Sequence, residues 1–152
     1  MDKKLELKIQ PRVIDHLGIK MYQKPVDVIS EFIANAWDAD SENVSVNIGG
    51  DQILITDDGH GMTFGECQNN FLTVGRNRRL ETKSDKTKNK KRPVLGRKGI
   101  GKFAGFGIAQ KIEVETTSSE NGESTKFSMD ISKILDADAE GVDEKVIDVL
   151  RY

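Results

Sequence analysis

The chain is poor in the residues that form disulfides and zinc sites. Its 152 residues include one cysteine, Cys67, and two histidines, His16 and His60. One cysteine excludes an internal disulfide, and with only two histidines it leaves no zinc-type cluster of ligands. We therefore expect a reducing compartment, and the cytoplasm is the simplest one.

The sequence also lacks long apolar runs. Met1–Glu6 leads directly into alternating charge without the apolar stretch of a signal peptide, and no run reaches the length of a membrane span. We expect a protein that is neither exported nor inserted into a membrane. The 36% hydrophobic and 32% charged residues are typical of a globular protein. The length predicts a single domain, residues 1–152, with one core.

Positive charge is concentrated in one part of the chain. The formal net charge is −2, yet Arg76–Lys102 contains twelve lysines and arginines against only Glu81 and Asp85. Such a run is most often a solvated loop, but it can also bind phosphate on a nucleotide or a nucleic acid. The sequence leaves both possibilities open.

Hydrophobic periodicity predicts a mixture of strands and helices. Strands are predicted over Leu5–Ile9 and in two hairpins, Val44–Asp57 and Lys111–Ile131, and helices over Pro11–Leu17, Val26–Ala39 and Phe64–Val74. Val142–Leu150 fits either a helix or a strand. Gly75–Pro93 shows no periodicity, which inside a compact domain favours a functional lid or a disordered segment.

The predicted helix Val26–Ala39 carries an acid, an amide and an acid on one face. Glu31, Asn35 and Asp38 are spaced i, i+4 and i+7, so their side chains stack along about two helical turns. This spacing suits a water at one end, a metal ion in the middle and a second anchor at the far end. A solvated helix face is the alternative interpretation.

Two glycine-containing stretches follow. Asp57-Asp58-Gly59-His60-Gly61-Met62 ends a predicted strand, so it places a carboxylate at the sheet edge beside bare backbone that a flat ligand can approach. A plain Asp-Gly turn is the alternative. Gly96–Ala104 places glycines and Lys98 and Lys102 ahead of a predicted helix, a combination that favours an anion site. Close packing of a glycine-rich helix would explain the glycines but not the lysines.

Taken in order, these three stretches resemble the N, G1 and G2 boxes of the GHKL (Bergerat-fold) ATPases. That superfamily includes DNA gyrase B subunits, the large ATP-driven heat-shock chaperones, MutL proteins, sensor histidine kinases and the MORC group. The resemblance covers about Pro25–Ala109. Its glycine-rich stretch is most similar to chaperone-like and MORC-like members, and Glu31 argues against a histidine kinase.

The resemblance implies a function for each motif. Glu31 would be the general base for the attacking water, Asn35 a Mg2+ ligand, and Asp38 a support on the adenine side. Asp57 would accept a hydrogen bond from the adenine amino group. The full nucleotide-binding set that it implies is Asn35, Asp38, Asp57, Gly59, Gly61, Met62, Gly75, Lys98, Gly99, Ile100, Gly101, Lys102 and Phe103. These roles suit phosphoryl transfer, which depends on positioning and charge neutralisation.

The same resemblance implies the fold and the partners. We expect an α/β two-layer sandwich in which helices cover one face of a mixed sheet, with residues 75–95 as a flexible lid over ATP. ATP or ADP with Mg2+ would be the ligands, and the full-length protein would form an ATP-dependent homodimer. The alternatives are a nucleic-acid-binding domain that uses the basic loop 76–92, and a nucleotide sensor without turnover.

Two departures from the family pattern stand out. Relatives often have a serine and then a lysine after the glycine at Gly75, whereas this chain has Arg76-Asn77-Arg78-Arg79. The resemblance therefore assigns no phosphate contact to those residues. The final strand of the family is not evident before Tyr152, which predicts a fragment of a longer protein.

Overall fold

The structure is a computed structural model. It describes residues 4–9, 24–74, 85–96, 101–136, 145–148 and 150–151. The helices are α1 (Pro25–Asp38), α2 (Phe64–Glu66) and α3 (Ile131–Asp136), with a π-helical turn over Cys67–Phe71 and a 3-10 helix over Gly101–Gly107. The strands are β1 (Glu6–Ile9), β2 (Val44–Gly49), β3 (Gln52–Asp57), β4 (Thr73–Val74), β5 (Lys111–Thr117), β6 (Ser124–Asp130), β7 (Lys145–Asp148) and β8 (Leu150–Arg151).

The described strands form three sheets. In the mixed sheet, β1 lies between β4, to which it is parallel, and β7, to which it is antiparallel. Strands β2 and β3 form an antiparallel hairpin, and β6 pairs with both β5 and β8. The chain therefore has the α/β class that the sequence predicts.

One apolar core joins the mixed sheet to β6 and the 3-10 helix. Its buried members are Leu5, Leu7, Ile9, Cys67, Leu72, Phe103, Phe106, Phe127 and Met129. The ring of Phe71 lies 6.0 Å from that of Phe103 and 5.7 Å from that of Phe127, both in tilted geometries that favour aromatic contacts. Burial raises the pKa of the Cys67 thiol to about 11, with Glu66 and Glu123 adding to the shift.

The 3-10 helix packs closely on α1 and β5. A Cβ at Gly105 would come within 2.9 Å of Ile112 and within 3.3 Å of Phe32, so a larger residue there would force these side chains to shift. This contact holds α1, which carries Glu31 and Asn35, against the end of the glycine-rich stretch.

Most predicted elements are confirmed with shifts of one or two residues, including β1, α1 and both hairpins. The predicted helix Phe64–Val74 is confirmed as helical to Phe71, with a π-helical turn over Cys67–Phe71, and is wrong over Leu72–Val74. A capping box between Thr63 and Glu66 starts the helix, but the amide of Leu72 then donates to the Cys67 carbonyl, which closes a wider turn. Thr73 and Val74 leave this turn and pair with β1.

The structure describes part of one further predicted segment and none of another. Val142–Leu150, which fitted either a helix or a strand, contains strand β7. The predicted helix Pro11–Leu17 lies outside the described residues. Among the helices of the described part, none is long and apolar enough to cross a membrane.

Candidate functional site

Helix α1 presents the predicted acid, amide and acid along one face. Pro25 occupies its first turn, where a missing N–H costs nothing, and Val28 and Ala36 are its buried residues. Glu31, Asn35 and Asp38 are all partly buried, so they do not lie on a fully solvated face. The solvated-face interpretation therefore does not describe them.

Glu31 lies directly against the start of the 3-10 helix. A Cβ at Gly101 would collide with the Glu31 carboxylate, so a larger residue there would force this carboxylate to move. The tertiary structure thus brings the acid of the first motif to the end of the third motif, 70 residues further along the chain.

Asp38 contacts the other end of the glycine-rich stretch. Its two carboxylate oxygens accept hydrogen bonds from the amides of Leu95 and Gly96, each at 2.8 Å. A Cβ at Gly96 would lie 2.8 Å from the nearer oxygen, which leaves no room for a larger residue without a shift. Both oxygens of Asp38 are therefore engaged by backbone.

The turn after β3 lies between the end of α1 and the end of β5. The Asp57 carboxylate accepts a hydrogen bond from the Gly59 amide at 2.8 Å. Gly61 has a φ of 65°, and a side chain there would collide with the Thr117 carbonyl. The Met62 amide donates to the Thr116 hydroxyl at 3.0 Å, which fixes the turn to β5.

The neighbouring acid, Asp58, is engaged much more extensively. Its carboxylate accepts hydrogen bonds from the Ser41 hydroxyl and from the amides of Glu42 and Asn43 at 2.7–2.9 Å, and from the Asn43 side chain at 2.9 Å. These bonds, led by that of the Asn43 amide, hold the pKa of Asp58 far below its ordinary value. Asp58 is a structural anchor, whereas the described contacts leave Asp57 with capacity to accept from a ligand.

Residues 85–96 form a compact turn instead of the structureless segment that the composition predicts. The Thr87 amide donates to the Arg92 carbonyl, and the Val94 amide donates to the Asp85 carbonyl. The carboxylate of Asp40, itself only 6% exposed, accepts from the amides of Asn89 and Lys90 at 2.6 and 3.1 Å. Burial alone would raise the pKa of Asp40, but these hydrogen bonds and one from Thr87 outweigh it and lower the pKa.

Aromatic and cationic contacts add to this attachment. The indole N–H of Trp37 donates to the Pro93 carbonyl at 2.8 Å. The guanidinium of Arg92 lies 4.5 Å from the centre of the Trp37 ring and donates to the Ser41 carbonyl at 2.7 Å. Sequence reasoning missed Trp37, Asp40 and Arg92, and the only available signal was an acid directly after the helix.

Acidic groups form ion pairs with Lys88 and Lys90 of this segment. Lys88 forms ion pairs with Glu120 at 3.1 Å and Glu66 at 3.8 Å, and Lys90 pairs with Glu42. These exposed pairs contribute little stability, but they reduce the charge that is available to a nucleic-acid backbone. The described part of the basic run is therefore better explained by contacts within the chain.

The remaining predicted residues fall into two groups. The Lys102 amine donates to the Asn70 carbonyl and lies 5.4 Å from the Phe71 ring, and the Phe103 side chain is fully buried in the core. Gly75, Lys98, Gly99 and Ile100 lie outside the described residues. No group of three or more histidine, cysteine or acidic side chains suited to a metal occurs in the described ranges.

The chain matches known proteins over most of its length. The family model of histidine kinase-, DNA gyrase B- and HSP90-like ATPases matches residues 22–149. A putative type II restriction enzyme, HgiDII of Herpetosiphon aurantiacus, is 38% identical over 113 residues, which cover 74% of this chain and 18% of that protein.

Chaperone proteins are also similar. HtpG of Gluconobacter oxydans is 30% identical over 141 residues, covering 78% of this chain and 23% of that protein. HtpG of Burkholderia lata is 38% identical over 124 residues, covering 66% and 20% respectively. The chain thus spans about a fifth of the length of these curated relatives.

Proposed function

This chain belongs to the family of histidine kinase-, DNA gyrase B- and HSP90-like ATPases, and we propose that it hydrolyses ATP to ADP and phosphate with Mg2+. As a member, it is an ATP-binding module of the GHKL type. The observation that supports hydrolysis best is the contact of the Glu31 carboxylate with Gly101. This contact supports the assignment of Glu31 as the general base, because the glycine-rich stretch would bind the phosphates.

We assign the adenine end of the pocket to the turn after β3. Asp57 would accept a hydrogen bond from the exocyclic amine of adenine, and guanine presents a carbonyl oxygen at that position. A Cβ at Gly59 would meet Ala39 and Asp57, and a Cβ at Gly61 would meet Thr117, so both positions pack against the chain itself. The bare backbone of these glycines would also let the base approach closely. Met62, which is partly buried beside the core, would line the base.

The hydrolytic step needs an oriented water and neutralised phosphate charge. Glu31 accepts the proton of the water as its oxygen attacks the γ-phosphorus, and the bond to the ADP oxygen breaks. The amides of Gly99 and Gly101, with Lys98 or Lys102, would donate to the phosphates. Gly75, Ile100 and Phe103 complete the proposed nucleotide-binding set, with Phe103 contributing through its backbone since its side chain is buried.

The donor set on this face of α1 fits a magnesium ion that is held mainly by the nucleotide. Asn35 lies one helical turn from Glu31 on the same face and supplies an amide oxygen, a ligand that hard cations accept. When bound, Mg2+ would neutralise phosphate charge and keep several waters. One protein ligand suffices under these conditions.

The proposal is tested by separating binding from turnover. Glu31→Ala should bind a nonhydrolysable ATP analogue with Mg2+ nearly as well as the parent, yet hydrolyse ATP about 10²–10⁴-fold more slowly, since only the base is lost. Asn35→Ala is the matched variant and should weaken the Mg2+-dependent part of binding. Turnover of Glu31→Ala at the parent rate would contradict the assignment. A parent that binds ATP without turnover would instead support the sensor function.

We further propose that ATP orders the lid and promotes dimerisation of the full-length protein. The proposed lid comprises residues 75–95, and the carboxylates of Asp38 and Asp40 bind the amides of Asn89, Lys90 and Leu95 within it. Sedimentation of the full-length protein should show more dimer with a nonhydrolysable ATP analogue than with ADP. Equal sedimentation with both nucleotides would contradict ATP-driven dimerisation.

A nucleic-acid role is the second candidate, and the likeness to a putative restriction enzyme is what favours it. In this function the basic run 76–92 would contact phosphates directly, or attached domains would do so. Binding of a DNA duplex by the chain, weakening steeply with salt and independent of ATP, would support the direct contact. Absence of duplex binding at low salt would contradict it.

A further inference from the structure

The face of α1 has the same kind of group at each end. Glu31 and Asp38 are seven residues apart, which corresponds to about 10 Å along the helix axis. Glu31 contacts Gly101, and Asp38 binds the amides of Leu95 and Gly96. The two carboxylates therefore contact the two ends of one glycine-rich stretch, residues 96–101, while Asn35 lies between them on the helix.

Two observations indicate that Asp38 binds the backbone of the loop. Each oxygen of Asp38 already accepts a 2.8 Å hydrogen bond from a backbone amide. Gly96 also approaches so closely that its Cβ would lie 2.8 Å from a carboxylate oxygen. A carboxylate held in this way fixes the position of the loop at Leu95 and Gly96.

We propose that Asp38 is a positioning residue that sets where the phosphate-binding stretch begins, and that it acts on the triphosphate through Leu95 and Gly96 without touching the base. This inference rests on the proposed function, since it concerns how the same pocket binds phosphates. It replaces the role on the adenine side that the family resemblance implies for Asp38. Asp38 thus fixes the position of Gly96 relative to Glu31, which lies on the same helix.

Asp40 provides a matched control. It is also a carboxylate that accepts two backbone amides from the same segment, but its partners are Asn89 and Lys90, six or seven residues before Gly96. Asp38→Asn and Asp40→Asn both remove one charge and turn one acceptor into a donor. Only the first change acts at the start of the phosphate-binding stretch.

The experiment compares two ligands that share the base and differ in the phosphates. In Asp38→Asn, affinity for the nonhydrolysable ATP analogue with Mg2+ should fall on the order of tenfold, while affinity for adenosine stays at the parent value. In Asp40→Asn, the ratio of the two affinities should stay at the parent value. Gly96→Ala disturbs the same contact by a change in the loop. It should likewise lower affinity for the nonhydrolysable ATP analogue and leave affinity for adenosine unchanged.

A second readout needs no nucleotide. Amide hydrogen exchange at Leu95 and Gly96 should accelerate in Asp38→Asn and remain slow in Asp40→Asn, which instead exposes Asn89 and Lys90. Equal loss of adenosine and analogue affinity in Asp38→Asn would overturn the inference, because Asp38 would then act at the base. Unchanged exchange at Leu95 and Gly96 would overturn it as well.

These outcomes separate the inference from the function on which it rests. A parent chain that binds neither ligand would contradict the proposed function, and the exchange of Leu95 and Gly96 would still decide whether Asp38 fixes the loop. If Asp38→Asn does not fold, Asp38→Glu retains the charge and displaces Gly96 by one methylene. The same selective loss of analogue affinity is then expected, and its absence would overturn the inference.

Discussion

Two regions of this molecule are stabilised by different interactions. The core between β1, the 3-10 helix and β6 is apolar, and Leu7, Phe103 and Phe127 are at most 1% exposed. The polar edge, which comprises residues 37–43, 57–62 and 85–96, is held by carboxylates that accept backbone amides. Apolar burial is not directional, whereas hydrogen bonds fix distance and angle. The core therefore supplies most of the stability and the polar edge positions the proposed pocket.

The hairpin β2–β3 shows that apolar strands alone do not make a core. Ile48 is 68% exposed and Leu54 is 57% exposed, although the sequence alternation there resembles that of β5 and β6. In β6, by contrast, Phe127 and Met129 are almost fully buried. Strand pattern predicts pairing in both hairpins, and tertiary contacts decide which one contributes to the core.

The largest expected effect concerns the core. Phe127→Ala removes a fully buried ring that contacts Phe71, so the free energy of unfolding should fall by about 3–5 kcal/mol in urea titrations. Ile48→Ala is the matched control on the exposed hairpin, and it should change stability by less than about 0.5 kcal/mol. Similar losses of unfolding free energy in both variants would show that Ile48 is buried in solution. The contrast between the core and the exposed hairpin would then be wrong.

A smaller effect should separate two adjacent acids within the polar edge. Asp57→Asn should weaken ATP binding by about 1–3 kcal/mol in calorimetry, because a buried polar group of the base loses its acceptor. Its melting temperature should stay close to that of the parent. Asp58→Asn should instead lower the melting temperature and leave ATP affinity close to that of the parent, since the Asp58 carboxylate accepts hydrogen bonds from residues 41–43. Unchanged ATP affinity in a folded Asp57→Asn protein would contradict the adenine assignment.

The smallest expected effect is a dependence of stability on pH. Hydrogen bonds lower the pKa of Asp58 below its ordinary value of 3.8, so this group stabilises the folded state above that pH, and the contribution is lost as the pH falls below it. Parent stability should therefore decline on acidification below about pH 4. Asp58→Asn should show a shallower decline in the same urea titrations. Identical pH profiles in the two proteins would show that Asp58 does not supply this contribution.

The elements of the fold could be predicted well because their signals are local. Alternation in Leu5–Ile9 and helical spacing in Val26–Ala39 each report which face is buried, and the structure confirms both. The end of Phe64–Val74 could not be predicted, because the apolar spacing of Phe71 and Leu72 fits a helix as well as a turn. Pairing with β1, which is distant in sequence, decides that Thr73 and Val74 form a strand.

By itself, the sequence determined the three motifs, their order and the family, because residue type and spacing carry that information along the chain. Only the tertiary structure decided that Asp38 binds Leu95 and Gly96, that Asp40 holds Asn89 and Lys90, and that Asp58 is the anchored acid beside Asp57. The physical reason is that the identity of an acidic residue in the sequence does not specify which backbone amides will donate to it. Which amides reach it depends on how distant segments are brought together by burial of the common core.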